Sequence, residues 1–372
     1  MAILPAQTLT TLINDGGIQL GGPLGPRQLQ PASLDLTFGA RAWRVRASFL
    51  PAPGSSIADR LKDGLEMHEL NLTDGAVLEK GCVYLVELRE RLALPPSISG
   101  AANPKSSTGR IDVFVRLITE PAVDRRPAFD EIPAGYTGPL YAEVSPRTFS
   151  ILVRTGSSLN QMRLKSASAS LDDATLRALH KATPLVDADG DIDGGLGVSV
   201  DLISGTDRIG WRARRHAALI DVDKPGALAP EDYFEPLPPP KSGFIILDPD
   251  EFYILASKES LVIPPDCAAE MMPISPGLGE FRVHYAGFFD PGFGWSPEGG
   301  AERGESGKSN GSRAVLEVRS HDAPFVLEHG QLVARLVYEK MAARPETLYG
   351  DGVRSHYQGQ ALKLSKHFRE ID

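Results

Sequence analysis

Ser33-Leu34-Asp35-Leu36 recurs as Ser199-Val200-Asp201-Leu202, and Trp43-Arg44-Val45-Arg46 recurs as Trp211-Arg212-Ala213-Arg214. Further along, Tyr84-Leu85 returns as Tyr253-Ile254, and Leu94-Pro95-Pro96 as Ile263-Pro264-Pro265. Ala142-Glu143-Val144 returns as Leu316-Glu317-Val318, and Gly156 as Gly330. The order never changes, and the offset grows only from 166 to 174 residues. Matches held in register over a whole chain point to a duplicated domain. Between the matched positions the pattern is strand and turn. Val83–Val86 is a short apolar run, Leu92-Ala93-Leu94 stops at Pro95-Pro96, and Ile151-Leu152-Val153 stops at Thr155-Gly156. The 37 Gly and 30 Pro favour short strands joined by turns over long helices. The reading is therefore mainly β with a few short helices. One helix is expected at the start, where Leu9, Leu12 and Ile13 fall on one face before Gly16-Gly17.

The expected domains are 1–165 and 196–372, joined by a linker at 166–195. Ser166 to Ser170 are small and polar, Ser170-Leu171-Asp172-Asp173 resembles a helix cap, and Asp187 to Gly195 are acidic and Gly-rich. Leu171, Leu176 and Leu179 allow only a brief apolar face there.

At 372 residues the chain has ample length for two cores. Its formal net charge of -9, with no block of Lys or Arg, argues against a nucleic-acid polymer as partner. A small anion held by a local donor cluster stays open. The two cysteines, Cys82 and Cys267, lie far apart, which fits a reducing cytosol better than a disulfide framework. No apolar run is long enough to span a membrane, and Met1-Ala-Ile-Leu-Pro5 lacks the basic start and apolar core of a signal peptide. A cytoplasmic protein without membrane attachment is the expectation.

Four segments carry chemistry. Pro104-Lys105-Ser106-Ser107-Thr108-Gly109-Arg110 gathers hydroxyls, cations and a turn glycine, and reads as a phosphate cradle or as a polar surface turn. Phe129 to Gly138 is an acidic turn entering a strand, in which Asp130 could accept from a sugar hydroxyl. In Leu140-Tyr141-Ala142-Glu143-Val144, strand alternation puts Tyr141 and Glu143 on one face. A carboxylate in mid-strand is either solvated or held for function. The tail from Tyr349 to Gln360, with His356-Tyr357-Gln358-Gly359-Gln360, reads as a frayed end or as a lid over a base or phosphate.

Together these segments resemble the dCTP deaminase family of the trimeric dUTPase-like superfamily. Gln30-Pro31-Ala32-Ser33-Leu34-Asp35 is similar to the family's early strand motif. Lys105 to Arg110 is similar to its phosphate motif, where Arg is commoner than Lys in first place. Gly135 to Glu143 resembles the pattern ending in the catalytic glutamate, and Tyr349 with His356 to Gln360 resembles the C-terminal lid, where Lys is usual in place of His356.

The resemblance implies two tandem dUTPase-like domains, each a distorted β-barrel or jelly roll, with a lid tail over 345–372. It implies metal-independent deamination of dCTP, with Glu143 as general base, Ser106 and Arg110 fixing the water and its charge, and Arg110 keeping Glu143 ionised. Lys105 and Ser107 would bind phosphates. Asp130, Tyr141, Ala142, Tyr349, His356 and Gln360 would contact substrate. Mg²⁺ would arrive on the triphosphate. The assembly would be a homo-oligomer such as a trimer, or a pseudo-oligomer built from the two halves.

Two features depart from the family pattern. The connection from Leu117 to Asp130 is long, and it includes Arg125-Arg126-Pro127. Met271-Met272-Pro273-Ile274-Ser275-Pro276-Gly277, where the second phosphate motif would fall, has no cation, although that half keeps Asp290-Pro291-Gly292 and Glu317. One working site per chain follows, in the first half.

Two other signals are set aside. Gly304 to Ser309 mimics a P-loop, but the required first glycine is Glu302 and the strand-to-helix context is missing. A zinc deaminase needs His two residues before Glu and a paired-cysteine motif, and neither occurs, so no zinc is expected.

Overall fold

The computed structural model describes residues 2–122, 125–187, 189–203, 207–275, 281–284, 287–296, 311–320, 322–350 and 362–370. The fold is mainly β with a few short helices, as the sequence predicts. The chain divides into two compact units. Unit 1 holds residues 1–168, 217–228 and 365–372, and unit 2 holds 169–216 and 229–364.

In unit 1 the main sheet contains β1 (Phe38–Val45), β2 (Glu66–Asn71), β3 (Val83–Ala93), β4 (Val113–Thr119) and β5 (Thr137–Pro146), in the spatial order β2-β1-β3-β5-β4. In unit 2 it contains β6 (Gly210–Ala213), β7 (Phe234–Leu237), β8 (Tyr253–Leu261), β9 (Phe281–His284) and β10 (Ser312–Ser320), in the order β7-β6-β8-β10-β9. Position for position the two orders coincide. The registers coincide as well, since Trp43 faces Leu85 and Leu85 faces Glu143, as Trp211 faces Ile254 and Ile254 faces Glu317. The smaller details also repeat. Tyr84 Oη accepts the Glu79 N–H at 3.0 Å, and Tyr253 Oη accepts the Asp248 N–H at 3.0 Å.

A second sheet completes each unit. In unit 1 it runs Ala2–Ile3, Asn160–Ser166, Ser99–Pro104, Glu131–Ile132, with Leu34–Leu36 also on Asn160–Ser166. In unit 2 it runs Leu196–Ser199, Leu332–Lys340, Cys267–Pro273, Phe288–Phe289. Alternation fills the space between sheets. Val86, Leu117, Leu140, Ala142, Val144, Met162 and Leu164 are fully buried in unit 1, and Val198, Leu255, Ala269, Leu316, Val318 and Leu336 in unit 2.

The stretch expected to be a linker is packed instead. The helix Asp173–Ala182, capped by Asp172 accepting the Thr175 N–H, belongs to unit 2. Leu176, Leu185, Val186 and Ile192 enter the unit 2 core. The acidic loop is drawn back because the Asp173 carboxylate accepts the N–H groups of Gly194 at 3.0 Å and Gly195 at 3.2 Å.

Two pieces of the C-terminal half join unit 1. Ile220–Asp221 adds in parallel to the Ile151–Val153 strand, and Arg154 grips Asp221 through two bonds of 2.7 and 3.0 Å. Near the chain end, Ser365 Oγ lies 2.7 Å from the Ser107 carbonyl and 2.8 Å from His367 Nδ1. His367 Nε2 donates to Val222 O at 3.0 Å. Burial and the nearby Lys366 push the His367 ring down to about 4, so it stays neutral at ordinary pH.

Candidate active site

Strand alternation sets the position of Glu143. In β5, Leu140, Ala142 and Val144 turn into the core, and Tyr141 and Glu143 turn to the outer face. On that face the register lines up Trp43, Leu85, Glu143 and Arg116 across β1, β3, β5 and β4. Solvent would normally reach an outer face. Here the segment after β1 covers it, with Phe49, Ile57, Leu61 and Leu65 packed against Trp43, Val45, Leu85 and Ile118. Glu143 is left 3% exposed.

The two carboxylate oxygens of Glu143 differ. Oε1 accepts from Ser48 Oγ at 3.0 Å. Oε2 is buried with no hydrogen-bond partner among the described residues. Burial is the largest influence and raises the carboxyl above its ordinary range. The Ser48 hydroxyl, the Arg116 charge and the Phe49 backbone N–H pull it back. Arg116 is steadied by the rings of Phe114 at 4.2 Å and Phe129 at 4.6 Å.

Here the structure corrects one expectation. The cation acting on Glu143 is Arg116, not Arg110. Arg116 stands opposite Glu143 in the ladder, whereas Arg110 closes the one-turn helix Ser106–Gly109 before β4 begins and is 6% exposed there. The Ala142 side chain points the other way. It lies on the face away from Glu143, is fully buried, and is paired with both Val86 and Leu117. Tyr141 shares the face of Glu143, and burial pushes its hydroxyl up to about 12.

The Lys105 to Arg110 loop is held by backbone bonds from Lys105 N–H to Leu159 O at 2.9 Å and by Thr108 Oγ1 to the same carbonyl at 2.8 Å. Ser106 is exposed and Ser107 buried. Lys105 Nζ pairs with the Asp35 carboxylate and lies 3.4 Å from Ser158 Oγ. Burial raises the Asp35 carboxyl, and Lys105 opposes that rise. Lys366 adjoins the same pair, and burial and the Lys105 charge bring its ammonium down to about 8. Cations are thus concentrated where the sequence reading puts phosphate, and one of them holds a carboxylate.

Asp130 sits at the predicted turn with φ 62. Its Oδ1 accepts the Leu117 N–H at 2.7 Å, and its own N–H donates to Leu117 O at 2.9 Å. Asp130 is therefore tied back onto β4. Tyr349 belongs to unit 2, where its ring lies 5.7 Å from that of Phe293 and its N–H donates to Pro291 O at 2.8 Å. That approach requires glycine at 292, because a Cβ there would stand 2.9 Å from Tyr349 N. His356 and Gln360 lie outside the described residues, as does the P-loop mimic at 304–309.

Unit 2 repeats the glutamate without its setting. Glu317 is 5% exposed on β10, and β9 places His284 opposite it where unit 1 has Arg116. Asp201 keeps a cation, but Arg313 of β10 supplies it in place of a loop lysine.

Sequence reasoning missed Ser48, Arg116 and Lys366. Arg116 alternates visibly with Val115 and Leu117, so its face was readable, but its partner required the strand pairing.

A model of the 2'-deoxycytidine 5'-triphosphate deaminase N-terminal domain matches residues 1–168, and one of the C-terminal domain matches residues 172–368. The crystal structure of 2'-deoxycytidine 5'-triphosphate deaminase from Agrobacterium tumefaciens is similar, with 49% sequence identity and a TM-score of 0.84. It covers 93% of this chain and 99% of that one. The dUMP-forming dCTP deaminase of Methanobrevibacter smithii is 30% identical over 145 residues, which is 38% of this chain and 66% of that protein, just under two thirds of its length. With its dUTPase-like fold and both domain models matched, this chain belongs to the dCTP deaminase family.

Proposed function

We propose that the chain hydrolyses dCTP to dUTP and ammonia, with Glu143 of unit 1 as general base. The observation carrying this reading is a buried glutamate with a raised carboxyl and one unpartnered oxygen, Oε2, on the strand that matches the family's catalytic pattern. Water attacks C4 of cytosine. Glu143 takes the water proton through Oε2 and returns protons to N3 and to the departing amine, so that water is consumed and ammonia leaves. A base whose proton affinity is lifted toward the working pH suits this traffic, and positioned acid–base groups contribute about 10²–10⁴-fold. Arg110 and Ser106 are assigned to the developing charge at C4, and Lys105 and Ser107 to phosphates, with Asp35 yielding Lys105 as the triphosphate arrives. Asp130, Tyr141, Ala142, Tyr349, His356 and Gln360 remain the proposed substrate contacts.

Among the described residues no three His, Cys, Asp or Glu side chains converge to hold a metal ion. Mg²⁺ is assigned to the substrate triphosphate. The coincident strand orders support a tandem duplication in which unit 2, lacking the loop cations, serves as scaffold. A homo-oligomer or pseudo-oligomer is part of the reading. No described helix is long and apolar enough to cross a membrane, and a cytoplasmic place is proposed.

A second reading has one observation behind it, the name of the M. smithii relative, which is dUMP-forming. In that reading dUTP is hydrolysed further to dUMP and pyrophosphate. Incubation of the chain with dCTP in ¹⁸O-water, followed by mass analysis of the product, tests both. Label at uracil C4 in dUTP supports the first. The same label in dUMP with pyrophosphate supports the second, and unchanged dCTP contradicts both.

A further inference from the structure

We infer that Ser48 is a positioning residue for Glu143. It fixes Oε1 and leaves Oε2 as the oxygen that exchanges protons with water and base. This rests on the reading of Glu143 as the general base.

A glutamate shuttling a proton must keep one oxygen aimed at the reacting water, because small misplacements at the reacting centre cost large factors in rate. Strand β5 fixes the Cα of Glu143 but not the last torsion of its side chain, which is broad and roughly two-fold. The Ser48 hydroxyl, 3.0 Å from Oε1, removes that freedom.

The loop that carries Ser48 runs from β1 to the short helix Ile57–Arg60. It is closed at its base by the Arg46 N–H on Leu65 O at 3.0 Å, and Phe49 anchors it to the outer-face cluster. Ser56 and Asp59 form a reciprocal cap at the helix start, which settles where the loop ends. Ser48 is exposed itself, yet a tied loop delivers its hydroxyl to a buried carboxylate.

The neighbouring Phe49 N–H favours the charged carboxylate in the same sense. Among the other elements, β4 presents Arg116 to Glu143. β3 sets Leu85 opposite it and β1 sets Trp43 beyond, neither of which titrates. Among the described residues the groups favouring the charged form are therefore on one loop and one arginine, and the Ser48 hydroxyl holds Oε1.

The test uses the full chain with Ser48→Ala and Ser48→Thr. Infrared difference titration of the nucleotide-free protein, with Glu143→Gln as reference, follows the Glu143 carboxyl directly. Its midpoint is expected to rise in Ser48→Ala and to return toward wild type in Ser48→Thr. In parallel, kcat/KM for dCTP is measured against pH. Losing one hydrogen bond from an exposed hydroxyl to a carboxylate corresponds to about a threefold to tenfold loss on the acid side, with the alkaline plateau changed far less. An unmoved midpoint and acid limb in Ser48→Ala overturn the inference and leave Glu143 as base. A wild-type chain that releases no ammonia from dCTP overturns the reading beneath it, and the titration still decides whether Ser48 holds the carboxylate.

Discussion

Replacing Arg116 by Met should make the stability of the chain fall with rising pH more steeply than in wild type. Arg116 and Glu143 face each other across the β4–β5 ladder. Directly opposed side chains leave the backbone about 4.5–5.5 Å apart at Cβ. At an effective dielectric of about 20, two unit charges about 8 Å apart attract by about 2 kcal/mol. Arg116 is only half-buried, so about 1 kcal/mol is the expected contribution after screening.

The Glu143 carboxyl is already raised in the folded chain, chiefly by burial. A raised carboxyl stabilises the fold fully below its unfolded pKa, and that contribution is lost as pH rises through the folded value. Removing Arg116 raises it further, so the deficit of Arg116→Met against wild type should widen from acid to neutral pH by about 1 kcal/mol. A constant part, about 0.5–1 kcal/mol, comes from the lost contacts with Phe114 and Phe129. Arg116→Lys keeps the charge and should retain most of the pH-dependent part. Urea unfolding at several pH values between 4 and 8 measures both parts, and kcat/KM for dCTP should fall about fivefold on its acid limb. A deficit that stays the same at every pH would refute the pairing of Arg116 with Glu143.

Two further outcomes follow from the same side chains. Asp35→Asn leaves the Lys105 ammonium without its carboxylate, so the free chain should melt several degrees lower, while dCTP should raise its melting temperature by more than it raises that of wild type. An equal dCTP shift in both proteins would remove Lys105 from phosphate binding. Asp221 is held down at about 2, chiefly by Arg154, against an ordinary 3.8, so its stabilising contribution is present above the ordinary value and disappears as pH falls through the lower one. Hydrogen exchange should show the Ile220 and Val222 amides losing protection over that window in wild type and at every pH in Asp221→Asn, and unaltered protection in the variant would contradict the role of the ion pair.

The repeat was legible because it is written in residues with fixed structural work. Trp43 and Trp211 occupy the same register row, and Tyr84 and Tyr253 accept the same backbone bond in both units. Glu143 was legible as an oddity in an apolar strand, and alternation correctly gave it the face of Tyr141. What alternation cannot give is the neighbour across the ladder, since pairing is non-local, so Arg116 opposite Glu143 is not legible in the sequence. The Ser48 loop carries no periodic signal at all. The 166–195 stretch looked solvated because its charges are dense, yet Asp173 turns the acidic loop back onto itself while Leu176 goes inside. The placing of 217–228 and 365–372 in unit 1 depends on contacts such as Arg154 with Asp221 and Ser365 with Ser107, which join residues far apart in sequence.

The central claim is that Glu143 performs a hydrolytic deamination. Ammonia release from dCTP by the wild-type chain, set beside that of Glu143→Gln at equal nucleotide occupancy measured by calorimetry, tests it most directly. The account predicts one ammonia per uracil nucleotide formed by wild type, and a loss of at least about 10²-fold in the variant with dCTP binding retained. Turnover by Glu143→Gln near the wild-type rate would contradict it.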